Sequence, residues 1–344
     1  MSEKKVSLSK KGLIINLVIF AVLLLVSLIL VMTGFNEAFY STSSTVRSIF
    51  EYITYLGEPI VFIVIIAILY IAYDKKYAKN LLLVLLIVAY VNEFIKNIFK
   101  DPRPATNVDA DEIIPVINPA GLVETSYGFP SGHTSSAVGT WGYIAYEFKD
   151  KPKPIVIPII MAVIMFLVSI SRMIIGVHDL QDVIGGYSVG FILLLLFIYL
   201  EPRVSEKFTT LSMNVKIIII VVVSVGLFLL GALLFPTSGT DLLPSPQAFT
   251  DTGYFSLVGG AILGFGIGYV LENEKIQYEP SKLNAKQKIL ALIIGLALVF
   301  VVYFALEALK GVFDSTIYRF IRYALVAFIL VYFLPLIYTK MWKN

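Results

Sequence analysis

Residues 155–200 read IVIPIIMAVIMFLVSISRMIIGVHDLQDVIGGYSVGFILLLLFIYL. Two apolar runs, 155–176 and 182–200, each supply the roughly 20 residues a helix needs to cross a bilayer. Where they meet, the chain places Ser171, Arg172, His178 and Asp182. An arginine at that depth is costly unless it meets an anionic partner or ligand. Outward from this stretch the same pattern recurs, giving ten apolar segments centred on 13–33, 58–73, 81–99, 134–148, 155–176, 182–200, 216–236, 254–272, 288–308 and 321–339, of which the second and fourth are short. Hydrophobic residues make up 58% of the 344, against about 45–50% in a soluble domain. No alternating ten-residue pattern points to a barrel, so the sequence predicts an all-α polytopic membrane protein of about ten transmembrane helices.

Orientation follows from lysine and arginine in the short connections. Lys4, Lys5, Lys10 and Lys11 precede the first segment, and alternate connections carry Lys75, Lys76 and Lys79, then Lys149, Lys151 and Lys153, then Arg203, Lys207 and Lys216, then Lys275, Lys282, Lys286 and Lys288. Lys340 and Lys343 follow the last segment. Both termini are therefore expected in the cytoplasm of a multi-pass cell-membrane protein. The first segment reads as a retained anchor, being long and without a small-x-small cleavage site. The chain has no cysteine, which excludes disulfides and thiol catalysis. Its net charge of +3 sits in the inward connections and gives no reason to expect nucleic acid.

Three polar clusters fall on the opposite, extracytoplasmic side. The first is Lys96 with Arg103-Pro104; the second is Pro130-Ser131-Gly132-His133; the third is Ser171-Arg172, His178 and Asp182. The chain has only two histidines, and both lie in these clusters. His178 and Asp182, four apart, share one helix face. A carboxylate bonded to one imidazole nitrogen fixes the tautomer and leaves the other lone pair for attack. Ser131 and Gly132 precede a span whose first N–H groups favour phosphate oxygens, glycine allowing close approach. His133 beside them is placed to protonate a leaving alkoxide. Lys96 and Arg103 can hold phosphate oxygens. Each cluster alone has a plainer reading: a helix-end hydrogen bond, a serine cap, or snorkelling cations with Glu93 as a partner for Lys96.

Taken together, these clusters resemble the signature of the type 2 phosphatidic acid phosphatase superfamily, with every signature position matched over roughly residues 1–200. The resemblance implies His178 as the nucleophile that forms a phosphohistidine, Asp182 as its orienter and His133 as general acid. It implies Lys96, Arg103, Ser131, Gly132 and Arg172 as phosphoryl-binding residues. It also implies a six-span core like that of the bacterial membrane members.

The motifs divide the chain into a six-span phosphatase core, 1–200, and a four-span accessory bundle, 201–344, joined by a basic linker at 201–215. Residues 35–57 are expected along the outer interface, and the long connection 100–133 as wall and lid of the site. Gly260, Gly264 and Gly268, four apart, read as close helix packing rather than a nucleotide loop. The expected activity is metal-independent hydrolysis of a lipid phosphomonoester or polyprenyl diphosphate, with no cofactor and with lipid as substrate and surroundings. The alternatives are a lipid phosphotransferase using the same histidine, or a lipid transporter or flippase that keeps the phosphate site. Oligomeric state is not encoded in any of these patterns.

Overall fold

The computed structural model describes residues 10–35, 39–101, 103–104, 127–148, 155–235, 252–309 and 315–342, side chains being described from Tyr254 onward in the sixth of these stretches. Among them every regular element is helical. In chain order these are α1 (Lys10–Met32), α2 (Ser44–Thr54), α3 (Pro59–Ala72), α4 (Lys75–Phe99), α5 (Gly132–Phe148), α6 (Val156–Ile174), α7 (Leu180–Thr209), α8 (Met213–Leu234), α9 (Thr252–Lys275), α10 (Ala285–Ala308), α11 (Thr316–Phe328) and α12 (Leu334–Met341). A five-residue π turn, Ile329–Phe333, joins α11 to α12 into one continuous rod.

Among the described residues eight helices are long and apolar enough to span a membrane, or nine if α2, the turn after it and α3 form one bent span. The ten segments expected from sequence included 58–73 and 134–148. Their helices, α3 and α5, run only 14 and 17 residues. α3 begins at Pro59, after Glu58, and α5 begins at Gly132, inside the Ser131-Gly132-His133 cluster. At the other boundary α7 continues through Pro202 to Thr209, so most of the expected linker is helix. Residues 105–126, most of the expected lid, lie outside the described residues.

The chain forms two compact units. Of the described residues, one holds those within 1–59 and 87–209; the other holds those within 60–86, 210–235 and 252–342. By backbone contact, then, residues 60–86 group with the C-terminal helices rather than with the helices that carry the motifs.

In the first unit α5 packs on α6 and α7, and α1 lies against α7 with Phe20 stacked on Phe191 at 4.5 Å. Ile14, Val18, Val22 and Leu25 of α1 are exposed, an apolar face suited to lipid. Glycines of α7 set its approach to α5. A Cβ at Gly186 would lie 2.8 Å from the Ser131 carbonyl, and one at Gly190 would lie 2.9 Å from that of Ser135. α2 is amphipathic, capped by Ser43 accepting from the Val46 N–H, and turns Ile49 and Tyr52 outward.

In the second unit α9 packs on α8 and α11. Gly260 and Gly264 abut the backbone at Phe320 and Ala324, and a Cβ at Gly268 would lie 3.3 Å from Val331. The glycine spacing is therefore close helix packing. Glu272, fully buried, accepts from Lys75 Nζ at 2.8 and 2.9 Å and from the Tyr278 N–H at 2.6 Å. The Tyr278 hydroxyl in turn donates to the Ile71 carbonyl at 2.5 Å. Asn284 and Gln287 close a reciprocal capping box at the start of α10.

Candidate active site

α6 ends because Gly176 adopts a left-handed φ of +77°, a conformation glycine takes without the Cβ penalty. The chain folds back so that the Arg172 carbonyl accepts from the N–H groups of both Val177 and His178, at 3.0 and 3.2 Å. This return sets His178 just before α7, whose first turn carries Asp182. His178 Nδ1 lies 2.8 Å from Asp182 Oδ2, and the Asp179 N–H donates to that same oxygen at 3.2 Å. With the carboxylate accepting from Nδ1–H, the lone pair falls on Nε2, and there Arg103 Nη1 approaches to 3.2 Å. Arg103 is held by a second bond to the Val177 carbonyl at 2.9 Å.

His178 is 1% exposed. Burial, first, and then the charges of Arg103, Arg172, Lys96 and His133 hold its pKa well below the ordinary imidazole value. Those four groups come from the end of α4 and just beyond it, the start of α5 and the end of α6, so the cations gather round one neutral imidazole.

Each has its own support. Lys96, in the last turn of α4 and 3% exposed, donates to the carbonyls of Tyr127 and, at 3.3 Å, Gly128. One turn earlier Asn92 donates to the Pro130 carbonyl at 3.2 Å and to Ser135 Oγ at 3.0 Å. The inner face of α4 thereby fixes residues 127–131. Glu93, the partner for Lys96 on the plainer reading of the sequence, accepts from Asn97 Nδ2 at 3.0 Å. Arg172, 1% exposed, donates to Thr54 Oγ1 at 3.1 Å.

Ser131 is fully buried; its Oγ accepts from the Thr134 N–H at 3.4 Å and from the Thr134 hydroxyl at 3.1 Å, so it caps α5. Its own N–H donates to the Asp182 carbonyl at 2.9 Å, joining the second cluster to the third. Gly132 opens α5, and a Cβ there would meet Asn92 Oδ1 at an ordinary 3.4 Å. His133 Nε2 lies 2.9 Å from Glu58 Oε1.

Sequence reasoning missed four residues of this pocket. Thr54 sits in the stretch 35–57, read only as interfacial, and Glu58 opens the segment 58–73, read only as apolar. Asn92 had a signal that could have found it, lying four before Lys96 on one helix face. Asp101 follows α4; its carbonyl accepts from the Gly128 N–H at 2.8 Å, and burial raises its carboxyl pKa.

A buried, carboxylate-oriented imidazole ringed by three cations suits attack on a phosphorus centre. Residues 77–206, which include all eight candidate site residues, match the family model described as the PAP2 superfamily, and residues 256–343 match its phosphatase transmembrane extension. The chain belongs to the PAP2 superfamily. The transmembrane extension of this PAP2 protein takes in most of α9 and all of α10 to α12. Among curated relatives, sphingosine-1-phosphate phosphatase 2 of Homo sapiens is 26% identical over 150 residues, covering 43% of this chain and 36% of its own. Phosphatidylglycerophosphatase B of Bacillus subtilis (strain 168) is 44% identical over 79 residues, covering 21% of this chain and 38% of its own. The PAP2 protein thus spans little more than a third of the length of these relatives. A crystal structure titled the first transmembrane PAP2 type phosphatidylglycerolphosphate phosphatase from Bacillus subtilis is similar at 22% identity and a TM-score of 0.40, over 56% of this chain and 95% of its own.

Proposed function

We propose that this PAP2 protein is an integral membrane lipid phosphatase that hydrolyses a lipid phosphomonoester on the extracytoplasmic side, through a phosphohistidine at His178. The observation that carries the reading is the buried His178–Asp182 pair, 2.8 Å between Nδ1 and Oδ2, with Nε2 turned to Arg103. The Nε2 lone pair attacks phosphorus as the bond to the lipid oxygen breaks. His133 gives its proton to that departing oxygen. Water then attacks the phosphohistidine, His133 takes its proton, and inorganic phosphate leaves as the P–N bond breaks. Lys96, Arg103 and Arg172 neutralise the equatorial oxygens, supplying from side chains the charge that a metal supplies elsewhere. Ser131 and Gly132, at the start of α5, complete the phosphoryl cradle.

The lysine and arginine distribution supports cytoplasmic termini and an outward-facing site. The names of the two curated relatives, each a phosphatase of a phosphate-bearing lipid, support a lipid phosphomonoester over a polyprenyl diphosphate. Within this scheme residues 1–200 carry the chemistry and 201–344 act as an accessory bundle.

The test is phosphate release by purified protein in detergent with EDTA, against a panel of lipid mono- and diphosphates, with His178→Ala as control. Release by wild type alone, strongest on a monophosphate, is the expected result. Turnover retained by His178→Ala would exclude the covalent scheme. Radiolabel appearing on a second lipid rather than as free phosphate would make the protein a phosphotransferase.

A further inference from the structure

We infer that Glu58 is a positioning residue whose carboxylate supplies the countercharge that keeps His133 protonated. The inference rests on the phosphatase reading only for its consequence, since the charge state of His133 is measurable without turnover.

The pocket is hostile to a further positive charge. Lys96, Arg103 and Arg172 already surround His178 and, after burial, lower its pKa. His133 acts on His178 from the same surroundings, so the same cations oppose an imidazolium at position 133. A general acid must nevertheless hold a proton near neutral pH. Asp182 is committed to His178 Nδ1 and to the Asp179 N–H. The Glu58 carboxylate meets His133, at 2.9 Å from Nε2. An opposite charge at that range favours the protonated imidazole.

The placement of Glu58 is built rather than incidental. It follows the 3-10 turn Tyr55–Gly57, and its N–H donates to the Tyr55 carbonyl at 3.0 Å. Trp141 Nε1 on α5 donates to the Leu56 carbonyl at 3.0 Å, tying this turn to the helix that bears His133. Gly57 lets the turn press on the imidazole: a Cβ there would lie 3.3 Å from His133 Cδ2 and 2.6 Å from Val168. Just before the turn, Thr54 accepts from Arg172. The segment after α2 therefore reaches both an anion-binding cation and the general acid. The side chains of His133 and Glu58 are 15% and 29% exposed, so solvent screens the pair in part and the effect is moderate.

Having only two histidines, the chain permits an unambiguous test. The full-length protein, labelled with ¹³C-histidine in detergent micelles, is titrated by NMR as wild type, Glu58→Gln and Glu58→Asp, with His178→Asn assigning the two signals. In Glu58→Gln the His133 midpoint is expected to fall by about one pH unit, with Glu58→Asp closer to wild type. The alkaline limb of kcat/KM for phosphate release moves down with it. An unchanged or raised midpoint in Glu58→Gln overturns the inference, as does an equal fall in Glu58→Asp, which would mark a loss of shape rather than charge. Failure of the wild type to release phosphate would remove the phosphatase reading and leave the titration to decide this one.

Discussion

The Ser131 N–H donates to the carbonyl of Asp182 at 2.9 Å, so the loop that opens α5 is bonded to the first turn of α7 by main chain alone. The bond places the serine-glycine-histidine cluster beside Asp182, whose carboxylate lies 2.8 Å from His178 Nδ1. It exists because α7 presents Gly185 and Gly186 there: a Cβ on the first would strike the Phe129 ring, and one on the second the Ser131 carbonyl at 2.8 Å.

Gly186→Ala should therefore damage the site without touching a charged group. Its Cβ would also meet Thr134 Cβ at 2.8 Å, and overpacking of this kind costs about 1–3 kcal/mol. A lower thermal midpoint in detergent, together with weaker phosphate release, is expected. Full activity at wild-type stability would show that α7 can shift without consequence.

Asp182→Asn keeps the shape of the orienter but not its charge. The amide can present its nitrogen to His178 Nδ1 and reverse the tautomer, taking the lone pair from Nε2. By analogy with other carboxylate–histidine pairs, kcat should fall by about a thousandfold or more with KM little changed. Single-turnover phosphate release separates the two constants, and a pure KM effect would deny Asp182 this role.

The pH dependence of stability follows from His178. Its folded pKa lies below that of the unfolded chain, near 6.5 for a free imidazole. Above about 6.5 both states hold it neutral and nothing is lost. As pH falls below that value the unfolded chain binds the proton first, so stability declines down to the folded pKa. Thermal midpoints of wild type should drop more steeply below about pH 6.5 than those of His178→Gln. Parallel curves would mean that the buried imidazole titrates normally. The same depression keeps His178, the proposed nucleophile, neutral in mildly acidic buffer, so the acid limb of kcat/KM should lie below the free-imidazole value.

Lys75→Met removes the cation from the Glu272 carboxylate, which is 0% exposed and also holds the Tyr278 N–H. Leaving a buried carboxylate unpaired costs about 3–5 kcal/mol. A marked fall in the unfolding midpoint is expected, partly restored in the double variant Lys75→Met/Glu272→Gln. Additive losses would show that the two residues do not act as a pair.

Much of this was legible in the residues themselves. Long apolar runs allow only helix in a bilayer, because the backbone must satisfy its own hydrogen bonds there. The fourfold spacing of His178 and Asp182 determined their shared face, since local geometry along a helix depends on sequence alone. The spacing of Gly260, Gly264 and Gly268 likewise announced close packing, though not that Phe320 and Ala324 would fill it. Tertiary structure decided what depends on segments distant in the chain. It brought Thr54 to Arg172 from a stretch read only as interfacial, and Glu58 to His133 from the first residue of an apolar segment. It grouped residues 60–86 with the C-terminal helices. It also set the charge of His178, because desolvation and the nearness of three cations belong to the folded pocket and to no single stretch of sequence.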